Sequence, residues 1–192
     1  MKRDLILTGP IASSFLSCEK DTEIILRKLF IESRPHSDVL RRLLVVQNKD
    51  AMDNTDYDMS AYNLKKLIDE KYIVLSPKIE VPEHDQVKSF ITLNFDNFVP
   101  NATNPQFRDC MINIDVACHH DYWDLGNYRQ RPFKIMGYVD GILNKSRLTG
   151  IGQLHFAGGS MTGFLNDDWS FYTISYLATH GSDDQIESPD EE

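Results

Sequence analysis

His119-His120-Asp121, with Asp124 close behind, is the densest group of metal-ligand residue types in the chain. A zinc centre needs three or four protein ligands, so Asp115 or His155 would have to join them through the fold. Neighbouring strand residues point to opposite faces. His119 and His120 can therefore share an ion only if the backbone turns at the strand end. A metal-dependent enzyme built on His119, His120 and Asp121 is weighed against a polar strand terminus, and the terminus is preferred. Cys110 and Cys118 share a strand face but lie about 26 Å apart at ~3.3 Å per residue, too far for a disulfide. They are expected to behave as small buried apolar groups. With Cys18 alone, a reducing compartment is the simplest reading.

Gly150-Ile151-Gly152 and Gly158-Gly159 lack the spaced Gly-Lys-Ser/Thr of a phosphate loop, and no G-x-S-x-G sequence is present. No cofactor is expected. What remains is a loop carrying Tyr122, Trp123 and Tyr128 with Arg129 and Arg131. Aromatic and arginine side chains are enriched at protein interfaces. These five, with Phe164 and Leu165 beyond the glycine run, form the expected subunit or partner contact set. The competing reading is local packing over a sheet edge.

Composition narrows the classes further. The chain has 192 residues, 41% hydrophobic and 10% aromatic, enough for one ordinary domain with a core. Its net charge is -9 and its pI about 5.1. That excludes a general nucleic-acid coat, which needs a basic surface. Three cysteines exclude a disulfide scaffold. No apolar run approaches the ~20 residues of a membrane span. Lys2-Arg3 before Phe15-Leu16-Ser17-Cys18 loosely follows a lipoprotein signal, but Asp4 and Thr8-Gly9-Pro10 oppose it. Residues 1–20 are expected to be an arm or a short helix.

The elements that must position these residues follow from periodicity. Asp21-Thr22 is placed as the cap of a helix running to about Ser33, with Ile25, Leu26, Leu29 and Phe30 as its stripe. Pro35 ends it. A second helix opens at Asp38 through Val39, Leu40, Leu43 and Leu44. Residues 48–59 form a polar loop. Ser60 is expected to cap a short helix with Leu64, Leu67 and Ile68 inward. From Tyr72 the pattern becomes strand-like, with short runs at 72–75 and 78–81 and a strand at 86–95 in which Phe90 breaks the alternation, as expected where both faces are partly covered. Residues 97–106 are expected to be a loop. Cys110, Ile112, Ile114, Val116 and Cys118 alternate with Asp109, Asn113 and Asp115, which predicts a half-buried strand of an antiparallel sheet. Pro132 opens a helix with Ile135, Met136, Val139, Ile142 and Leu143 inward. Residues 146–150 read as a turn. A strand at 151–157, a flexible glycine-rich connection at 158–163 and a strand at 169–179 close the domain.

The predicted fold is α+β: a mostly antiparallel sheet with helices packed on it and extra N-terminal helices. The single domain spans 21–181, helical to 71 and sheet-rich from 72. Residues 182–192 carry six acids and no base, and read as a solvated tail.

The strands at 88–95 and 111–118, the helix at 131–144, the run Leu148-Thr-Gly-Ile-Gly-Gln-Leu-His-Phe156 and the closing strand at 171–181 together resemble the tail-terminator proteins of long-tailed bacteriophages, which sit at the virion neck. The resemblance covers about half the chain, residues 87–181. It departs from the family's usual single opening helix in the longer helical region at 21–71. It implies a six-membered ring that caps the tail tube and joins it to the head-completion ring, with no enzymatic activity and no membrane. The implied partners are further copies of the chain, the tail tube protein and a head-completion protein. Genomic DNA would pass through the lumen without sequence recognition, and the implied location is the virion, after assembly in the host cytoplasm. An exposed sheet edge and the aromatic loop are expected to supply the two unlike halves of the ring contact. Another head–tail connector or neck adaptor is the alternative, and it predicts a mostly helical chain.

Overall fold

The structure is a computed structural model that describes residues 10–53, 56–75, 89–104, 107–166 and 168–180; of residues 10–17, 164–166 and 180 it describes the backbone alone. The first helix, α1 (Pro10–Arg27), runs without a break into a π-helical turn, Lys28–Glu32. The expected start at Asp21 is therefore corrected. Asp21 is buried in the helix interior, because Pro10 suits a first turn and no glycine or second proline interrupts 11–27. The expected boundary at residue 20 falls inside this helix, and residues 1–9 lie outside the described part.

Helix α2 (His36–Val45) buries Leu40, Leu43 and Leu44 as its periodicity requires. Helix α3 (Leu64–Asp69) is capped by Asn63, whose side chain accepts from the Lys66 N–H at 3.0 Å. Ser60 was the expected cap. Its N–H and hydroxyl instead donate to Asp58 at 2.8 and 2.9 Å, which leaves the helix end to the next residue type able to accept.

Among the described residues five strands form the main sheet: β1 (Ile73–Val74), β2 (Phe90–Pro100), β3 (Arg108–His119), β6 (His155–Asn166) and β7 (Trp169–His180). Their order is β1-β2-β3-β7-β6. All neighbours are antiparallel except β1 and β2. Between β3 and β7 the chain makes a 3-10 turn, His120–Tyr122, and helix α4 (Arg131–Leu143). The small pair β4 (Arg147–Leu148) and β5 (Gly152–Gln153) follows, so the expected turn at 146–150 is a hairpin. The expected strands at 78–81 and 86–88 lie outside the described residues.

One expected loop begins as strand, with residues 101–104 irregular as expected, and another is strand throughout. β2 continues to Pro100 through a register shift between Asp96 and Val99, where Asn97 takes φ 53°. A bulge admits an extra residue without ending the strand, and asparagine tolerates a left-handed backbone better than most residues. The glycine run at 158–163 is the middle of β6, not a flexible connection. Its pairing with β7 shifts register between Phe156 and Gly158 and between Met161 and Gly163. Glycine in a strand often marks such a bulge, and Gly163 at φ 148° has no side chain to strain there.

The helices cover one face of the sheet. Ile112, Ile114 and Val116 of β3 and Ile174 and Tyr176 of β7 pack there in one core with Leu29, Leu40, Leu43, Ile135 and Val139. The Tyr176 hydroxyl donates to Asp140 at 3.1 Å, and burial raises its pKa.

The helix-free face is polar and bonded to itself across strands. Asp115 accepts from Thr92 at 2.7 Å, from Asn94 at 3.3 Å and from Thr173. Ser175 donates to Asn113 at 2.7 Å, and Thr179 to Asp109 at 2.7 Å. At one end this ladder gives way to an apolar cluster of Phe90, Ala117, Trp169 and Phe171. That cluster explains why Phe90 breaks the alternation of its strand: both sides of the sheet are covered at that point.

Candidate contact surface

The loop between β3 and α4 is held to the core from within. Leu125 is buried, and the Arg131 N–H donates to the Trp123 carbonyl at 2.8 Å, closing the loop at its base. Two ion pairs fasten it to the loop that follows α2. Lys49 meets Asp124 at 2.8 Å, and Arg129 chelates Asp53 through both guanidinium nitrogens. The Arg129 hydrogen bond holds the Asp53 carboxyl below its usual range, and Lys49 with the Gly126 N–H does the same for Asp124.

Arg131 was expected at a surface, and that expectation is corrected. Its side chain is completely buried. It donates to the carbonyl oxygens of Tyr122, Val46 and Asn48 at 2.7, 2.9 and 2.7 Å, and to that of Leu43. No carboxylate is among these acceptors. Burial lowers its pKa, and what holds the charge there is a ring of four carbonyls, of which Leu43 lies in the last turn of α2, where carbonyls lack helical partners.

The other candidate residues divide by exposure. Trp123 is half-buried, packed on Tyr172 at 6.0 Å and on His120 at 5.6 Å between ring centroids. Tyr122 and Arg129 are also half-buried. Tyr128 is fully exposed, at 104%. It ends a run of three left-handed residues, Gly126, Asn127 and Tyr128, at φ 72°, 51° and 62°. Glycine adopts this region freely, but asparagine and tyrosine do so at a cost. The turn is kept by Arg129, whose backbone N–H donates to the Gly126 carbonyl at 2.9 Å while its guanidinium reaches the Gly126 and Leu125 carbonyls at 3.2 and 3.1 Å. For Phe164 and Leu165 the backbone lies in β6, and their side chains lie outside the described part.

Phe133, Phe156 and Met161 extend the exposed surface; each is close to half exposed. Phe133 packs on Tyr172 at 5.2 Å, and Met161 is the cross-strand partner of Tyr172. Tyr128 and Phe133 line one depression. The aromatic turn and the β6 edge therefore lie along one exposed flank. The helical periodicity held a signal for Phe133: it lies off the stripe of Ile135, Val139 and Ile142. Met161 carries no such signal, because the glycines around it read as a loop.

Of the metal-ligand candidates, Asp115 lies in the polar ladder, Asp124 pairs with Lys49 and His155 is exposed on β6. His119 is buried against Trp169 at 5.4 Å, and its Nδ1 accepts from the Asp121 N–H at 3.2 Å. His120 Nε2 meets the Ser170 hydroxyl at 2.7 Å. Ser170 is 1% exposed, whereas His120 stands at the surface. Among the described residues no three His, Cys, Asp or Glu side chains come together as a metal site. Burial pushes the Cys110 and Cys118 thiols up to about 12.

These features define a class: an α+β protein with a mostly antiparallel five-stranded sheet, whose aromatic turn and free sheet edge share one exposed flank. The chain belongs to the YomW family, whose model matches residues 37–178, from α2 to the end of β7. The family is phage-associated, which makes this a phage-related protein. No curated protein matches the chain.

Proposed function

We propose that the protein is a structural component of the virion, a tail terminator that forms a ring, caps the tail tube and joins it to the head-completion proteins. The observation that carries this reading is the Tyr128 turn. A strained backbone holds an aromatic side chain wholly in solvent, next to a sheet edge that pairs only with β7 among the described residues. Strain of this kind persists where a function needs the geometry. A bare aromatic beside a free edge suits association.

Two further observations support it. The helix-free face carries Asp96, Asp109 and Asp115 and, among the described residues of its strands, no lysine or arginine. Such a face would let DNA slide past without adhering, since like charge disfavours phosphate binding. Of the described residues 33% are helical and 36% strand, which weighs against the mostly helical neck adaptor. Mass spectrometry of purified virions, with antibody labelling in electron micrographs, tests the reading. The protein is expected at the head–tail junction; its absence from virions would remove the proposal.

A further inference from the structure

A second exposed site lies at the end of the sheet where β3 begins and β7 finishes. Phe107, Leu148, Thr149 and Thr179 line an open groove of about 600 Å³, with Arg147 beside them. Phe107 is 37% exposed, and Arg147 is exposed as well. Gly150, at φ 84°, turns the β4–β5 hairpin without a side chain to fill the space. Among the described residues the lining holds no acid, and Arg147 makes no ion pair. Asp109 stands close by, but its carboxylate is already taken up, accepting from Asn101 at 2.9 and 3.1 Å and from Thr179 at 2.7 Å.

We infer that this groove seats the chain's own acidic segment, residues 182–192, with Ile186 between Phe107 and Leu148 and its flanking acids toward Arg147. That segment lies outside the described residues, and three observations name it as the occupant. The first is continuity. Thr179 lines the groove and His180 is the last residue of β7, so the chain leaves the sheet at the rim of the groove. Ile186 is six residues beyond His180, a reach of up to about 20 Å.

The second observation is charge. Residues 182–192 carry six acids and no base. The end of the sheet that they leave is cationic: Arg147 lines the groove, Arg108 is the cross-strand partner of His180, and Lys145 is exposed two residues before Arg147. The third is the apolar anchor. Ile186 is the one large apolar residue of the segment, with Asp183 and Asp184 before it and Glu187 after it. An aliphatic side chain between acids matches apolar walls with a cation at their edge.

One isoleucine and exposed ion pairs would bind weakly between separate molecules. A short tether changes that, because it sets a local concentration in the millimolar range. The segment of the same chain therefore outcompetes that of another copy. The contact needs no partner and is independent of the terminator reading.

NMR of the isotope-labelled full chain tests this. The Ile186 methyl groups are expected to show nuclear Overhauser contacts to the Phe107 ring and the Leu148 methyls, unchanged on dilution. Ile186→Ser should shift the amide signals of Leu148, Thr149 and Gly150 and leave those of the Tyr128 turn in place. Arg147→Glu should abolish the Ile186 contacts, and Arg147→Lys should keep them, with unchanged circular dichroism confirming the fold of each variant. An Ile186 amide with an order parameter below about 0.6, and groove signals indifferent to Ile186→Ser, would overturn the inference. Contacts that fade on dilution would overturn it too, since the occupant would then be the segment of another copy. None of these results bears on capping, so the terminator reading stands or falls separately, on the virion analysis.

Discussion

Arg131 donates from Nη1 to the carbonyl oxygen of Val46 at 2.9 Å, across 85 residues of sequence. The same guanidinium holds Leu43, Asn48 and Tyr122, so one side chain ties the end of α2 to the base of the aromatic loop. Those acceptors are backbone carbonyls, which no compensating substitution can remove. Each buried carbonyl left without a donor costs about 1–3 kcal/mol.

Arg131→Met is therefore expected to lower stability by about 3–5 kcal/mol. Arg131→Lys recovers only part of the loss, because an ammonium cannot reproduce the planar fork of donors. Urea denaturation followed by tryptophan fluorescence measures both.

The Tyr128 turn gives the opposite sign. Tyr128→Gly removes a left-handed non-glycine residue and is expected to stabilise the chain by up to about 1 kcal/mol. Tyr128→Ala removes only an exposed ring and should change stability by less than about 0.5 kcal/mol. Thermal unfolding of the two variants checks the order.

Much of this architecture is legible in sequence. The alternation from Cys110 to Cys118 predicts the central strand and its buried face, and the stripes of α2 and α4 follow from helical spacing. Phe90, out of phase with its strand, correctly signals cover on both faces. The failures have physical causes. Glycine and asparagine read as loop signals, yet here they sit at bulges of β2 and β6, where pairing with the neighbouring strand overrides local preference. Arg131 reads as a surface cation because nothing local announces that the carbonyls of 43–48 converge on it. Tyr128 is legible as an aromatic in a loop, but its left-handed backbone is not.

The thiols make a prediction in pH. Cys110 and Cys118 are held at about 12 by burial, against about 8.5 for a free thiol. Folding therefore keeps them protonated, a contribution present in full below about pH 8.5 and lost as pH rises from there towards 12. At pH 8 both should resist a thiol-reactive dye until the chain is unfolded. Cys118→Ala should be less stable at neutral pH through lost packing, yet show a shallower loss of stability above pH 8.5.

The polar ladder of the helix-free face is expected to be stabilising as a unit. Asp115→Ala leaves Thr92, Asn94 and Thr173 without their shared acceptor and should cost about 1–3 kcal/mol. In the double variant with Thr173→Val the added loss should be smaller than the sum of the single losses, as a double-mutant cycle would record.

The most direct test of the terminator role is to add the purified chain to growing tail tubes of the phage that encodes it and to image the products by electron microscopy. Tubes of arrested length, each bearing a ring at one end, are the expected result, and Tyr128→Ala should reduce the capped fraction. Tubes that lengthen unchecked, with no density at their ends at any concentration of the added chain, would contradict it.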